Sequence, residues 1–287
     1  MGFVLPVLFA LLAAFSNASA TVLQRRAALT VPQSQGFRLS LILDLLRRPV
    51  WLAGMVAVVV AGVAQAVALA TGPLTLVQPL FVLELPLALL LASMTTGRRM
   101  PRVMWQAVVA VVAGLGVALG AAAPGHGQDD VTLARWLPAL VACGVGTVLL
   151  AGAGLRRPVG KARAGCLGAA TAVCYALTAA LMKDAMRVLD TDGLTGFLTT
   201  WQTYGFAAAG VGAVLLLEHA MQGGPLVASQ PALTLGDATV SLLLGVLLYQ
   251  EGIRTGWWLL PQVLGVALIV VGVLVLARRG VDLRPGR

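Results

Sequence analysis

The stretch from residue 51 to residue 95 decides the fold, and it reads WLAGMVAVVVAGVAQAVALATGPLTLVQPLFVLELPLALLLASMT. The turn signal Gly72-Pro73 divides it into two apolar runs, each long enough to cross a bilayer as a helix of about 20 residues. Glu84 is the single ionisable side chain in the stretch. Neither run alternates between apolar and polar residues as the strands of a membrane β-barrel do. The stretch therefore predicts two consecutive transmembrane helices.

The same pattern continues along the whole chain of 287 residues, of which 59% are hydrophobic and 11% are charged. Soluble domains contain roughly 45–50% apolar and about 25% charged residues, so this composition excludes a soluble globular fold. Because backbone groups in lipid must be satisfied within the chain, helices are the spanning element. We predict an all-α polytopic membrane protein with about nine transmembrane helices. They are placed at residues 2–23, 51–70, 72–95, 103–123, 135–154, 164–182, 197–219, 224–249 and 257–277.

One long connection, residues 24–50, separates the first predicted span from the second. Phe37, Leu41 and Leu45 recur within it at helical spacing, with charged residues between them. A segment that is too short and too charged to cross the membrane suits the membrane surface. We therefore expect an interfacial helix near residues 36–48.

Basic residues outnumber acidic ones and give the chain a formal net charge of +9. Sixteen of the twenty Lys and Arg residues lie on one side of the predicted membrane, and four lie on the other. Because Lys and Arg collect in cytoplasmic loops, we expect the N-terminus outside and the basic tail, residues 278–287, in the cytoplasm. We expect a multi-pass protein of the plasma membrane, in contact with the lipid bilayer. The basic residues form no patch interleaved with aromatic side chains, so we expect no binding to nucleic acid.

Two segments of nine residues match each other without a gap. Residues 72–80 read GPLTLVQPL, and residues 224–232 read GPLVASQPA. The same shift pairs Trp105 with Trp257. An odd number of spans separates the matched helices, so the second copy enters the membrane from the opposite side, as in the inverted repeats of many secondary transporters. The repeat divides the chain into 1–123 with helices 1–4, 124–163 with the connecting helix 5, and 164–277 with helices 6–9.

Two carboxylates lie midway along predicted spans. Glu84 is in the middle of the third span, and Asp237 is in the middle of the eighth, one residue from the position that the repeat pairs with Glu84. Ionisable side chains at this depth are costly and mark ion or substrate sites. We expect both residues to bind the substrate or a metal ion. The expected bound group is a cation, either a metal ion or a proton, and no other cofactor is expected.

Polar side chains accompany the two carboxylates. The eighth span carries a stripe around Asp237 whose members are spaced by 4, 3 and 4 residues and therefore share one helix face. Such a stripe lines a cavity or forms hydrogen bonds between helices, and both interpretations stay open for its uncharged members. The stripe consists of Gln230, Thr234, Asp237 and Ser241. Further candidates for the binding site are Asn17, Gln65, Gln78 and Tyr175.

Pro79 and Pro231 occupy matched positions in the two repeats. A proline inside a helix removes one backbone hydrogen bond and can kink or break the helix. Pro79 would free the carbonyl of Thr75, and Pro231 would free that of Val227. Carbonyl oxygens freed beside a carboxylate suit a cation, so we predict helix breaks at both prolines.

Three segments carry a family resemblance: QRR at residues 24–26, RRPVWLAGM at residues 47–55, and GPLTLVQPL at residues 72–80. With the short helices in two repeats, they resemble the drug/metabolite transporter superfamily and its EamA-type members, and most closely its NIPA-like magnesium transporters. The resemblance implies a transporter fold with an outside N-terminus and magnesium as a substrate. Gln65 stands where NIPA-like members commonly carry an acidic residue, and Gln78 stands where they carry Thr.

These observations predict a secondary transporter that moves a small cation or metabolite, magnesium included, by alternating access. A second hypothesis is proton-coupled export of a neutral or amphipathic metabolite, in which one carboxylate carries the proton. A third is a membrane subunit that scaffolds a partner and transports nothing. The sequence has no GxSxG, HExxH or P-loop motif, so we expect no enzyme. The expected partner is a small molecule or ion, and a homodimer is left open.

Overall fold

The structure is a computed structural model that describes residues 3–29, 49–97, 100–125, 127–128 and 131–279. The interfacial helix predicted near 36–48 lies outside the described residues, as do residues 280–287 of the predicted tail.

Within the described ranges, every regular element is a helix. The α-helices are α1 Val4–Leu29, α2 Pro49–Thr71, α3 Leu74–Leu80, α4 Glu84–Thr96, α5 Arg102–Ala122, α6 Leu133–Leu155, α7 Lys161–Thr199, α8 Trp201–Gln222, α9 Leu226–Leu247 and α10 Leu259–Arg279; the 3₁₀ turns are Phe81–Leu83 and Gly256–Trp258. Nine helical segments in this part of the chain are long and apolar enough to cross a membrane, and α3 to α4 together form the third. The predicted all-α polytopic membrane fold is confirmed.

α7 departs most from the predicted spans. The prediction ended this span at residue 182, whereas α7 continues to Thr199 and has 39 residues in all. Gly193 is the one residue inside it with a non-helical conformation (φ 69°, ψ −166°). Lys183 and Arg187 were expected in a loop because charged side chains interrupt an apolar run. The helix continues through both because each side chain forms an ion pair with a buried carboxylate.

The third span is interrupted near its middle. α3 ends at Leu80, one residue after Pro79, and the 3₁₀ turn Phe81–Leu83 leads into α4 at Glu84. Pro79 has no backbone N–H to donate, so the regular hydrogen bonding of the helix changes here. The interruption places Glu84 at the start of a new helical segment.

The matched helix α9 behaves differently. It runs without interruption through Pro231, so the helix break predicted at this proline is wrong. Pro231 removes one hydrogen bond, to the carbonyl of Val227, at the same distance from the helix start as Pro79. The third span carries a second proline, Pro86, directly after its interruption, whereas Pro231 is the one proline inside α9. The remaining hydrogen bonds of the helix are sufficient to keep it continuous.

The helices pack in a pattern that recurs in the two halves of the chain, α1–α5 and α7–α10. α1 packs along α2 and along the span formed by α3 and α4, and α7 likewise packs along α8 and α9. Between the halves, α5 packs against α10, and α3 packs against α9. α6 connects the two halves in sequence and packs on α7.

Close approaches at glycine recur in the same way. A Cβ atom at Gly72 would collide with Pro6 in α1, and a Cβ atom at Gly224 would collide with the backbone that precedes α7. Gly114 in α5 and Gly265 in α10 meet so closely that a Cβ atom on either would lie 2.6 Å from the other's carbonyl oxygen. Small residues of this kind allow helix backbones to approach closely in a membrane.

Apolar side chains cover the outside of the bundle. On α6, Val148 is 70% exposed and Leu149 is 66% exposed, whereas Trp136 near the start of the same helix is fully buried. Apolar surface of this extent is stable in contact with lipid and unstable in water. The bundle therefore presents apolar faces outwards and encloses its polar side chains.

Candidate functional site

The first part of the candidate site is at the interruption of the third span. Glu84 is half-buried at the first position of α4. The side chain of Asn17, on α1, lies close enough to interact with the Glu84 carboxylate. The structure thus brings together two of the predicted site residues from helices that are distant in sequence.

The second part is on α9. Asp237 is half-buried, and the hydroxyl of Ser241, one turn further along, donates to its Oδ1 at 3.4 Å. Ser241 is itself fully buried. The charges of Asp237 and Glu84 act on each other, so the two carboxylates predicted from the sequence share one electrostatic environment.

Tyr175 on α7 connects the two parts. It lies within electrostatic range of Glu84 and Asp237, and of the exposed Glu218 on α8 to a smaller degree. Asn17, Glu84, Tyr175 and Asp237 are together called the central cluster. They come from α1, α4, α7 and α9, so both halves of the chain contribute one carboxylate and one neutral polar side chain.

Three buried polar atoms near α3 and α9 have no hydrogen-bond partner: Oγ1 of Thr75, Nε2 of Gln78 and Oγ of Ser229. A buried polar group without a partner costs about 1–3 kcal/mol. Gln78 was predicted as a site residue, and Thr75 lies three residues before it on the same helix face. Ser229 was not predicted, although it is next to the predicted Gln230.

The other predicted residues are less closely tied to the cluster. Gln230 and Thr234 are half-buried on the α9 face that carries Asp237. Gln65 is half-buried on α2, and no described contact joins it to the central cluster.

The metal site predicted at Glu84 and Asp237 has two carboxylates. Within the part of the chain that the structure describes, no three His, Cys, Asp or Glu side chains come together to hold a metal ion. A metal ion at this position would therefore take its other ligands from water and from neutral oxygens such as those of Asn17 and Tyr175. Mg²⁺ usually keeps several waters and is held by one or two carboxylates, so the donors present fit it.

A second polar group, which the sequence did not predict, lies at the end of the bundle where α3 begins. Glu251, in the connection between α9 and α10, is 2% exposed. Its carboxylate accepts hydrogen bonds from the backbone N–H groups of Leu74 and Thr75, both at 2.7 Å. The ammonium of Lys183 on α7 lies 2.5 Å from Glu251 Oε1.

Asp184, the neighbour of Lys183, holds three further elements together. It is 1% exposed, and its Oδ2 accepts hydrogen bonds from Trp136 Nε1 at 3.0 Å and from Gln202 Nε2 at 2.9 Å. Its Oδ1 accepts from Arg187 Nε at 3.1 Å. These contacts fasten the starts of α6 and α8 to α7.

Tyr249 fills the space between these two carboxylates. Its hydroxyl donates to the carbonyl of Ala180 at 2.6 Å, and the Lys183 ammonium lies 4.7 Å from its ring centre. Burial raises the pKa of Tyr249, and the charges of Asp184 and Glu251 raise it further. The hydroxyl therefore stays protonated at neutral pH and keeps its role as a donor.

These residues are called the polar cap: Trp136, Lys183, Asp184, Arg187, Gln202, Tyr249 and Glu251. None is among the predicted site residues. The spacing of Lys183, Asp184 and Arg187 places three charges within one turn at the end of an apolar helix, and this signal could have indicated a buried ionic group. Nothing in a single sequence joins Glu251 to that turn.

The chain is 32% identical over 277 residues to the uncharacterized protein Cgl0250 of Corynebacterium glutamicum. The alignment covers 95% of this chain and 94% of the relative. This chain belongs to the same protein family. No protein-family model matches the chain, and no solved structure matches it.

Proposed function

We propose that the protein is a secondary transporter that moves a small cation across the membrane, with the cargo bound between Glu84 and Asp237. The observation that carries the proposal is the position of these two carboxylates, midway along spans from the two halves of the chain and within electrostatic range of each other. A carboxylate within a membrane is costly, and two that repel each other cost more. A bound cation neutralises both charges and removes the repulsion.

The surroundings of the pair favour a cation over an anion. The central cluster has no basic side chain, and Asn17, Tyr175 and Ser241 offer oxygen atoms next to the carboxylates. Hard cations such as Mg²⁺ bind to oxygen ligands of this kind. Magnesium is therefore the first candidate cargo, in agreement with the resemblance to NIPA-like members of the drug/metabolite transporter superfamily, and a cationic metabolite is the next.

Two features support movement by alternating access. The packing of α1 against α2 and α3–α4 recurs as the packing of α7 against α8 and α9. The close contact of Gly72 with α1 likewise recurs at Gly224 before α7. Transporters built from inverted repeats bind cargo between the repeats and expose it to one side at a time. The central cluster draws its residues from both halves, as such a mechanism requires.

A second candidate function is proton-coupled export of a neutral or amphipathic metabolite. The buried and unpartnered groups of Thr75, Gln78 and Ser229 favour it, because they could form hydrogen bonds with an uncharged molecule. One carboxylate of the central cluster would then carry the proton instead of binding a metal ion.

We place the protein in the plasma membrane with its N-terminus outside, because sixteen of the twenty Lys and Arg residues lie on the opposite side. In this orientation the polar cap lies at the outer end of the bundle, and cargo reaches the cytoplasm through the other end.

The test is magnesium uptake into proteoliposomes that contain a trapped indicator, with the wild type beside Asp237→Asn. The matched control is Asp190→Asn, which makes the same change at an exposed position of α7. We expect uptake by the wild type and the control, and loss of uptake in Asp237→Asn. Undiminished uptake by Asp237→Asn would contradict the proposed site.

The same preparation separates the alternatives. Absence of magnesium uptake in folded wild-type protein would remove magnesium from consideration. Proton movement on addition of a metabolite would then favour the proton-coupled exporter. Absence of any flux, together with a stably co-purifying protein, would favour a membrane scaffold.

A further inference from the structure

The path from the central cluster towards the polar cap is closed. α3 and α9 cross at Thr75 and Gly245, where a Cβ atom on Gly245 would lie 2.5 Å from Thr75 Cγ2 and 2.6 Å from Glu251 Oε2. Thr75 at the crossing and Ser241, which lies between Asp237 and Gly245 on α9, are both fully buried. No cargo can pass between α3 and α9 while this contact is made.

The opposite direction is less tightly enclosed. On the same face of α9, Gln230 and Thr234 remain half-exposed. The polar face of α9 is therefore packed shut on the cap side of Asp237 and half-exposed on the other side.

Glu251 joins α3, from the first half, to α7 and α9, from the second half, at the closed end. Its carboxylate accepts hydrogen bonds from the first two N–H groups of α3, which belongs to the first half. The same carboxylate forms an ion pair with Lys183 on α7, which belongs to the second half. Glu251 itself follows α9 in the chain, and its own N–H donates to the carbonyl of Gly245 at 3.0 Å. Separation of α3 from α9 would break these interactions.

The contacts of Asp184, in contrast, do not join the two halves of the chain. Its partners Trp136, Gln202 and Arg187 lie on α6, α8 and α7, so none of them belongs to the first half. Asp184 can remain fully bonded while α3 and α9 move apart. The polar cap thus contains one group that stabilises the second half and one group that joins the halves.

We infer that the ion pair of Lys183 and Glu251, with the hydrogen bonds that Glu251 accepts from the start of α3, is the latch that closes the pathway at the polar cap. The inference rests on the proposed transport function. Opening at this end requires Glu251 to release α3, and cargo in the central cluster then reaches the side that carries the cap. A ligand-dependent shift between two such states needs a closed state that is stabilised by specific contacts, and the latch provides them.

The experiment measures how fast a thiol reagent modifies cysteine at two positions in the purified, detergent-solubilised protein. Cys143, Cys166 and Cys174 are first replaced by Ala. Thr75→Cys reports on the closed end, and it retains the hydrogen bond that the backbone N–H of residue 75 donates to Glu251. Thr234→Cys reports on the other end.

Each reporter is combined with Glu251→Gln or with Lys183→Met. Lys183→Met removes the cation but leaves Glu251 and its hydrogen bonds to α3 in place. Glu218→Gln is the matched control, because it makes the same change as Glu251→Gln at an exposed position of α8. A single cooperative unfolding transition above the temperature of the assay identifies folded preparations.

We expect both latch variants to increase the modification rate of Thr75→Cys by about tenfold, which corresponds to a tenfold rise in the open population. The rate at Thr234→Cys should stay constant or fall, because opening at one end accompanies closure at the other. The Glu218→Gln control should change neither rate.

An unchanged rate at Thr75→Cys in both latch variants would overturn the inference. Equal increases at both reporters would also overturn it, because they would indicate general loosening of the bundle. The assay needs no cargo, so its outcome is independent of the flux test. The modification rates can refute the latch while transport is observed, and the flux test can refute transport of the tested cargo while the rates support the latch.

Discussion

The two buried carboxylates of the polar cap and the two carboxylates of the central cluster differ in how many partners they have. Glu251 accepts three hydrogen bonds, one of them from a lysine, and Asp184 accepts three, one of them from an arginine. In the central cluster, Asp237 accepts a long hydrogen bond from Ser241, and Glu84 lies beside the uncharged Asn17.

This difference indicates which carboxylates hold the fold together and which are available to bind a ligand. A buried charge is tolerated when an opposite charge and hydrogen bonds satisfy it, and the cap meets this condition. The carboxylates of the central cluster instead interact with each other, which is unfavourable until a cation or a proton arrives. Substitutions in the two regions should therefore have opposite effects on stability.

The largest effect is expected at Asp184. Asp184→Asn removes the charge that Arg187 faces, and in either orientation its amide N–H₂ meets a donor where the carboxylate had an acceptor. The lost charge-assisted hydrogen bond costs about 1.5–3 kcal/mol and a buried donor without a partner about 1–3 kcal/mol more, so the melting temperature of the purified protein should fall steeply. Asp190→Asn, at an exposed position of the same helix, is the control and should change stability little. Equal melting temperatures for the two variants would show that the cap does not stabilise the bundle.

A smaller loss is expected where α3 crosses α9. Gly245→Ala introduces a Cβ atom 2.5 Å from Thr75 and 2.6 Å from the Glu251 carboxylate, so the helices must move apart. Overpacking of this kind costs about 1–3 kcal/mol. Gly212→Ala in α8, where a Cβ atom has open space, should leave the melting temperature unchanged or raise it slightly. Equal effects of the two substitutions would contradict the tight crossing.

The smallest effect, and the opposite sign, is expected in the central cluster. Glu84→Gln and Asp237→Asn each remove one of two repelling charges, so each variant should be as stable as the wild type or more stable by up to about 1 kcal/mol. Thermal unfolding in buffer without divalent cations measures this. A large loss of stability in both variants would mean that these carboxylates are structural, like those of the cap.

Much of the fold could be predicted from the sequence because lipid imposes a simple rule on composition. The runs around Gly72-Pro73 are apolar for the length of a bilayer, and nine such segments are found in the described part of the chain. The end of α7 could not be predicted in this way. Lys183 and Arg187 resemble loop residues until the fold shows that Glu251, distant in sequence, and Asp184, three residues before Arg187, are buried carboxylates.

The candidate site was predictable in part for a related reason. A lone carboxylate in an apolar run, such as Glu84 or Asp237, is conspicuous without knowledge of the fold. Their mutual interaction depends on helix rotation and on the break after Pro79, which composition does not specify. Glu251 was missed because it lies in a short polar connection, where an acidic residue is ordinary. Only the fold shows that this connection turns inwards onto the start of α3.

The most direct measurement of the central claim is the thermal stability of the wild type and of the Glu84→Gln, Asp237→Asn double variant in the presence of cations. Magnesium and a series of organic cations are added at constant ionic strength, so that screening is equal throughout. A ligand that binds the folded state at about 100 times its Kd adds about 2.7 kcal/mol of stability. We predict that at least one cation raises the melting temperature of the wild type and leaves that of the double variant unchanged. Equal stabilisation of both proteins, or stabilisation of neither by any cation, would contradict a cation site at the central cluster.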